Sequence, residues 1–539
     1  MSNEAARLYD PRFVMARPPI IRLVVSSLFS SRFRVALSHF LSAALLFLCA
    51  SLPVLVRAQQ QVTPASSTAD RARILLVLPF DNRTGQPSLD WIREAAASLL
   101  SSRFVSAGFS PMSRVDRVYA LNHLGLPENF QPSRASSLKL AQTLDADSII
   151  VGSYSTDGKD IVAEARIIDV PDLRMGLPVT SRGDLHSLID VFDGLAWQLT
   201  RQLDPHFSVA EDTFIAAGKG LRLDSFEQYI RGITEPDHAE RLRHLNKAVS
   251  LSPDFAPAWM ALGREDYNGQ QYEAAAVAFA KVRGGSSDAL EAGFYRGLSL
   301  LFSGSYAQAE SAFHNVAREL PLAEVLNNEG VAVSRQGHDG TDLFRKAVSA
   351  DLGNPDYHFN LGVSLMHHGA AQEAIAEMTQ CLKLRPNDSE AQDLLNVWKT
   401  PARAATAGSA GDARPDPLER IVRTFDEAAF RQAAIVMDQM EAMRLSALTP
   451  HDRAVRLAGQ AQDYLNRGLI LEAERLFQSA IEADGTLASA HLGLAQVRQR
   501  TGDLAGARTE AARVLQLDPG NKAAQDLIRQ LESQAGSKP

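Results

Sequence analysis

Cysteine is almost absent from this 539-residue chain, which contains only Cys49 and Cys381. Cys49 falls in an apolar N-terminal segment, so a mature protein would keep one thiol. That excludes an intramolecular disulfide framework and a cysteine-built zinc site. Cys381 stands where the surrounding pattern wants a small buried residue and reads as a packed core thiol. Basic charge is also scarce. The formal net charge is −8, and residues 1–58 hold seven Arg against Glu4 and Asp10, so the remainder carries 48 basic and 61 acidic residues. Phosphate neutralisation needs clustered Lys and Arg, so nucleic acid is not expected as a partner.

Catalytic signatures are missing as well. The sequence has no H-E-x-x-H, no G-x-S-x-G and no phosphate-binding G-x-x-x-x-G-K-S/T loop. His367 and His368 form the most metal-like pair, but neighbours on a helix point about 100° apart. His238 and His244 are six residues apart, off the spacing that shares a helix face. No catalytic residue, metal or cofactor is expected, and the chain reads as non-enzymatic. It is too long for one hydrophobic core.

The N-terminus has the pattern of an export segment. Arg7, Arg12, Arg17, Arg22, Arg32 and Arg34 precede an apolar run from Val35 to Val56, which ends in Val56-Arg57-Ala58 before Gln59. A basic flank, an apolar stretch and small residues before the junction predict a signal peptide cut between Ala58 and Gln59, or an uncleaved signal anchor. The basic flank stays in the cytoplasm, so the folded part is expected in the periplasm, either free or anchored at the inner membrane. Membrane contact is expected through this segment alone. Residues 59–69 form a polar tether with no burial pattern.

Residues 70–208 alternate strand and helix patterns. Ile74 to Leu78 is a short apolar run closed by Pro79, as expected of a buried strand. A turn-rich stretch from Asn82 to Pro87 leads to a helix over about Leu89 to Val105. A second helix is predicted over Ser136 to Leu144. Two strands, Ser148 to Gly152 and Ile161 to Ile168, flank the turn Asp157-Gly158. Ser187 to Leu203 is a final amphipathic helix. The loop after the first strand has one Gly and no Lys, so it reads as a structural turn rather than a phosphate cradle.

The opening Ile74-Leu-Leu-Val-Leu-Pro-Phe-Asp-Asn82 with Leu89-Asp90-Trp91 resembles the TolB amino-terminal-like domain. So do Leu144 to Ser153 and Asp157 to Asp169, in the same order. The family often places this domain before helical repeats. Here no effector domain precedes it, no β-propeller follows, and Pro171 to Gly176 replaces the usual acidic-Gly turn. The resemblance implies a binding module of the envelope or of signalling, and it transfers no catalytic residue.

From residue 221 onward the pattern repeats. Gly263, Gly297, Gly330 and Gly362 recur at intervals of 34, 33 and 32, and Phe279, Phe313, Phe344 and Met378 follow them by 14 to 16 residues. Ala275, Ala309 and Ala374 supply small residues on the second helix of each pair, and Pro253, Pro321 and Pro386 stop it. These offsets resemble tetratricopeptide repeats, whose unit is a 34-residue helix pair. The fold expected is an α/β N-terminal domain followed by an all-α solenoid in two blocks. They span 221–398 and 418–534, with a linker over 399–417. The second block opens with a divergent pair over Leu418 to Leu448 and ends in a cap helix.

Stacked helix pairs leave a concave face suited to extended segments or partner helices. Its candidate residues are Met260, Arg264, Tyr267, Phe294, Asn328, Phe359 and Asn360, and packing between repeats is the competing role for each. Arg264, Leu298, Val331 and Val363 stand where some arrays carry a carboxylate-gripping Asn, which disfavours that mode. The expected function is an exported scaffold or adaptor of a bacterial-type cell envelope that binds proteins. The alternative is a sensor whose α/β domain binds a small ligand and whose repeats relay the signal.

Overall fold

The computed structural model describes residues 74–127, 133–282, 288–399 and 418–536. The basic flank, the apolar run with its Ala58–Gln59 junction, the tether and residues 400–417 of the linker lie outside the described residues. Among the described residues no helix is long and apolar enough to cross a membrane.

The N-terminal region is a mixed sheet with helices on both faces. Its elements are β1 (Ile74–Val77), β2 (Asp81–Asn82), α1 (Ile92–Ser106), β3 (Ser110–Pro111), α2 (Arg114–His123), α3 (Arg134–Thr143), β4 (Ser148–Asp157), β5 (Asp160–Asp169), β6 (Arg174–Met175), β7 (Val179–Asp184) and α4 (Leu188–Leu203). The sheet order is β3-β1-β4-β5-β6, with β2 also on β4 and β7 on β5. β1 is parallel to β3 and β4, whereas β4 and β5 form an antiparallel hairpin. Alternation along β1 explains its unbroken apolar sequence. Leu75 and Val77 join the core under α1 and α4, while Leu76 and Leu78 join the core under α2 and α3. Gly158 takes a φ of 66° in the hairpin turn, a conformation that side chains with a Cβ resist. α2 has no counterpart in the sequence reading. Its signal was there in Ser113, whose Oγ accepts from the Asp116 N–H at 3.1 Å and caps the helix.

The remainder is helical: α5 (Glu211–Ala216), α6 (Leu223–Thr234), α7 (His238–Leu251), α8 (Ala256–Asn268), α9 (Tyr272–Phe279), α10 (Ala289–Phe302), α11 (Tyr306–Glu319), α12 (Ala323–Ser334), α13 (Thr341–Ala350), α14 (Pro355–His367), α15 (Ala371–Leu384), α16 (Ser389–Lys399), α17 (Glu427–Ser446), α18 (Pro450–Arg467), α19 (Ile470–Ala483), α20 (Ala488–Thr501), α21 (Leu504–Leu517) and α22 (Lys522–Gly536). At Gly263, Gly297 and Gly330 the facing helix leaves no room for a Cβ. A Cβ placed on Gly297 would sit 2.6 Å from the Phe313 ring, and one on Gly330 would sit 2.8 Å from the Phe344 ring. Phe279, Phe313, Phe344 and Met378 are buried in these contacts, as is Cys381. Burial pushes the Cys381 thiol up to about 11, which keeps it protonated and unreactive.

The chain departs from the expected pattern after the linker. Leu418 to Leu448 is not a helix pair: residues 418–426 are extended, and one 20-residue helix, α17, follows. The physical reason is that residues 418–426 spend their backbone groups on another part of the protein. The last helices then return to the α/β region. Leu471 of α19 is buried in the core under α1 and α4, and Arg475 donates to the Ser106 carbonyl at 3.1 Å. Thr213 of α5 and Thr501 of α20 meet at 3.2 Å.

Candidate functional site: a groove holding an extended segment

The inner helices α10, α12, α14 and α16 present one face, and residues 418–426 lie along it. Two asparagines hold the segment by its backbone. Asn360 on α14 donates from Nδ2 to the Arg420 carbonyl at 2.8 Å and accepts from the Arg420 N–H at 2.7 Å. Asn328 on α12 does the same for Val422, at 2.8 and 3.0 Å. Residues two apart in an extended chain turn both backbone groups to the same edge, so each carboxamide takes the place of a neighbouring strand. Asn327 donates to the Arg420 carbonyl at 3.1 Å and accepts from Asn360 at 2.8 Å, which fixes the orientation of that carboxamide. All three asparagines are fully buried. Further along, the Asp426 N–H donates to Glu324 at 3.1 Å. Burial raises the Glu324 carboxyl above its usual value.

The segment's side chains are also matched. The Arg420 guanidinium lies 3.6 Å from the centroid of the Phe359 ring. Its Nη1 reaches Asp356 at 2.9 Å and Asp388 at 2.6 Å, and its Nη2 reaches Asp388 at 2.8 Å and Glu390 at 2.9 Å. Arg385 also pairs with Asp356, at 2.7 and 3.0 Å, sharing the oxygen that Arg420 Nη1 reaches. Hydrogen bonding from Arg420 holds the Asp388 carboxyl below the ordinary aspartate value against the opposing effect of burial. Glu419 pairs with Arg335 and accepts from the Ser334 hydroxyl. Ile421, Val422 and Phe425 pack into the core of α10 to α14, with the Phe425 ring 5.4 Å from Phe294. Arg423 lies 5.0 Å over the Phe302 ring.

The structure places the seven sequence-predicted residues as follows. Asn328 and Asn360 grip the segment backbone, Phe359 underlies Arg420, and Phe294 meets Phe425. Tyr267 belongs to an aromatic group with Tyr272, Tyr295 and Phe302. Met260 and Arg264 line a cavity of about 840 Å³ beyond the end of the segment, walled also by Tyr229, Glu291, Phe425 and Phe430. Arg264 is ion-paired to Glu291 there. Sequence reasoning missed Asn327, Asp356, Asp388 and Glu390, and it missed the segment itself. The doublet Asn327-Asn328 was the available signal, since two buried carboxamides need partners. The loop at Asn82 closes on itself, with Asn82 donating to the Gln86 carbonyl at 3.0 Å and to Asp90 at 2.6 Å.

Antiparallel helix pairs recurring at this interval, with a concave face that holds an extended chain, define a tetratricopeptide-type solenoid. The family model described as tetratricopeptide repeat matches residues 333–389 and 459–522, so the chain carries such repeats. Among solved structures, MamA from Desulfovibrio magneticus RS-1 is similar at 22% identity and a TM-score of 0.29, over 31% of this chain and 99% of that one. YrrB, described as a TPR protein with an unusual peptide-binding site, is similar at 15% identity and a TM-score of 0.29, over 38% of this chain and 100% of that one. The LpoB C-terminal domain from Salmonella enterica is similar at 18% identity and a TM-score of 0.20, over 21% of this chain and 83% of that one. No curated protein matches the chain.

Proposed function

We propose that this protein is an exported scaffold whose concave helical face holds extended segments of partner proteins in a cell envelope. The observation that carries the reading is the paired hydrogen bonding of Asn328 and Asn360 to a peptide backbone. Such a grip recognises any extended chain, and it is side-chain pockets that add selectivity. Export is supported by the arginine-rich flank and the apolar run ending at Ala58. The reading divides the solenoid into two blocks about the linker, over 221–398 and 418–534. It takes residues 70–208 as a TolB amino-terminal-like module, on the order of the motifs.

The test is affinity purification from the envelope fraction, using the wild type and the Asn327→Ala/Asn328→Ala/Asn360→Ala variant. A partner recovered with the wild type and lost with the variant supports the reading. Recovery of no specific partner, or of the same partners with both, sinks it. Sequencing the mature N-terminus tests export separately, and a start at Gln59 is the expected result for the cleaved form.

A further inference from the structure

Resting on the reading of the groove as a protein-binding face, we infer that residues 418–426 are a built-in competitor for it. The partner displaced or mimicked by them is an extended protein segment with an arginine, an aliphatic residue two positions later and an aromatic residue five positions later.

Arg420 meets three carboxylates, from Asp356, Asp388 and Glu390, together with the Phe359 ring face. A segment recruited only to pack a core would satisfy this position with an apolar side chain. Instead the groove keeps an acidic pocket over an aromatic floor, a combination that selects guanidinium over any other side chain. Val422 is held through its backbone by Asn328 while its side chain packs among apolar neighbours, and Phe425 enters the pocket beside Phe294. Three specificity positions therefore sit on one backbone grip, at spacings of two and three residues.

The occupant is joined to the groove through the chain. A tethered ligand competes at an effective concentration on the order of mM when the connection is short. A partner of the same pattern must therefore outbid it, and the groove is available only to ligands that do. The cavity beside Met260, Arg264 and Phe425 continues the groove past the end of the segment. A partner longer than the internal segment gains contacts with Met260 and Arg264 in the part of the cavity that Phe425 and Phe430 leave open.

The probe is a labelled peptide of residues 418–426, Leu-Glu-Arg-Ile-Val-Arg-Thr-Phe-Asp, added to the full-length protein. It is compared on the wild type and on an Arg420→Ala/Val422→Gly/Phe425→Ala variant, in which the groove residues are untouched. The expected result is binding at least about ten-fold tighter to the variant, with a comparable loss when the peptide carries Ala at the Arg420 position. Equal affinity for both proteins, or indifference to the peptide's arginine, overturns the inference. Because the variant can fail to fold, a second measurement uses the wild type alone. Excess unlabelled peptide should strip hydrogen-exchange protection from the Arg420 and Val422 amides, and unchanged protection at saturation counts against the idea. A doubled mass that depends on residues 418–426 would assign the groove to a second copy of the chain and also overturn it. An envelope partner lost on asparagine substitution, together with no peptide binding, removes this inference and leaves the scaffold reading standing.

Discussion

Arg420 rests on Phe359, its guanidinium carbon 3.6 Å from the ring centroid, while Asp388 takes a hydrogen bond from each of its terminal nitrogens. The two residues are 61 positions apart in sequence, yet the contact gathers four kinds of interaction on one side chain: ion pairing, bidentate hydrogen bonding, cation–π attraction and burial. Only the planar fork of arginine can make all four at once.

Replacing Arg420 with Lys should therefore behave as a loss rather than a conservative change. The charge remains, but the bidentate geometry and most of the ring stacking go. The expected cost is about 1–2 kcal/mol of docking free energy. Hydrogen exchange at the Arg420 and Val422 amides measures it, with the global unfolding midpoint nearly unchanged. Wild-type protection in the Lys variant would show that charge alone holds the segment.

Asn328→Asp is a sharper test than Asn328→Ala. A carboxylate can still accept from the Val422 N–H but cannot donate to its carbonyl, and it places a charge where the native side chain is fully buried. Leaving one buried acceptor unmet costs roughly 1–3 kcal/mol, and burying the charge adds to it. The Asp variant should lose more protection at Val422 than the Ala variant. The reverse order would mean that the carboxamide acts only as filler.

The repeats were legible because they rest on periodicity, which is local. Gly297 and Phe313 are 16 residues apart, and their spacing alone says that two helices touch. The same holds for β1, whose unbroken apolar run announces burial on both faces. The segment over 418–426 was not legible in that way. Its conformation is decided by Asn328 and Asn360, which lie 94 and 60 positions from the residues they hold. Nothing within the segment distinguishes it from a weak helix. Its arginines and β-branched residues suit either state until partners are supplied. Asn328 and Asn360 were picked out individually, but the acidic pocket was not, because Asp356 lies on α14 while Asp388 and Glu390 stand at the start of α16, and all three look like ordinary surface acids.

Gly297→Ala should destabilise the solenoid by overpacking. The added methyl would overlap the Phe313 ring at 2.6 Å, a separation that real Cβ atoms do not show. The expected loss is about 1–3 kcal/mol in denaturant unfolding. Adding Phe313→Leu should recover part of it, since the smaller side chain makes room. A double variant less stable than the sum of the two single changes would deny that these residues share one contact.

Docking of the segment should resist mild acid and fail below the ordinary aspartate range. Hydrogen bonding from Arg420 holds Asp388 below its ordinary value of 3.8. Asp356 is lowered too: burial pushes it up, but hydrogen bonds from Arg385 and Arg420 outweigh that. A carboxyl lowered in the folded state contributes stability that is fully present above the unfolded value and is lost as pH falls through the folded one. Glu324, raised by burial, works in the opposite sense and favours the protonated form as pH falls. Protection at Arg420, corrected for the intrinsic exchange rate, should thus be flat from pH 7 to about pH 5 and decline below about pH 4. Asp388→Asn should flatten that decline. A loss of protection between pH 7 and 5 would point to a histidine instead.

The final helices are expected to be held to the α/β region chiefly by Leu471. Its side chain is buried in the core under α1 and α4, whereas the core of its own helix neighbours is built from Ala473, Phe477 and Ala480 with Leu457, Ala461 and Leu494. Leu471→Ala therefore opens a cavity at the contact without touching the packing that holds α18 to α20 together. Its cost should fall in the usual range of about 2–5 kcal/mol for a buried leucine. Arg475 adds a hydrogen bond to the Ser106 carbonyl, and Gln478 exchanges hydrogen bonds with Ser208, but both are polar contacts worth about 1 kcal/mol each. Calorimetry distinguishes the outcomes. If the apolar contact couples the two regions, a single wild-type transition should split in the Leu471→Ala variant, with the later helices melting first. One undivided transition at a uniformly lower temperature would mean that the coupling runs through the polar contacts or through the segment in the groove.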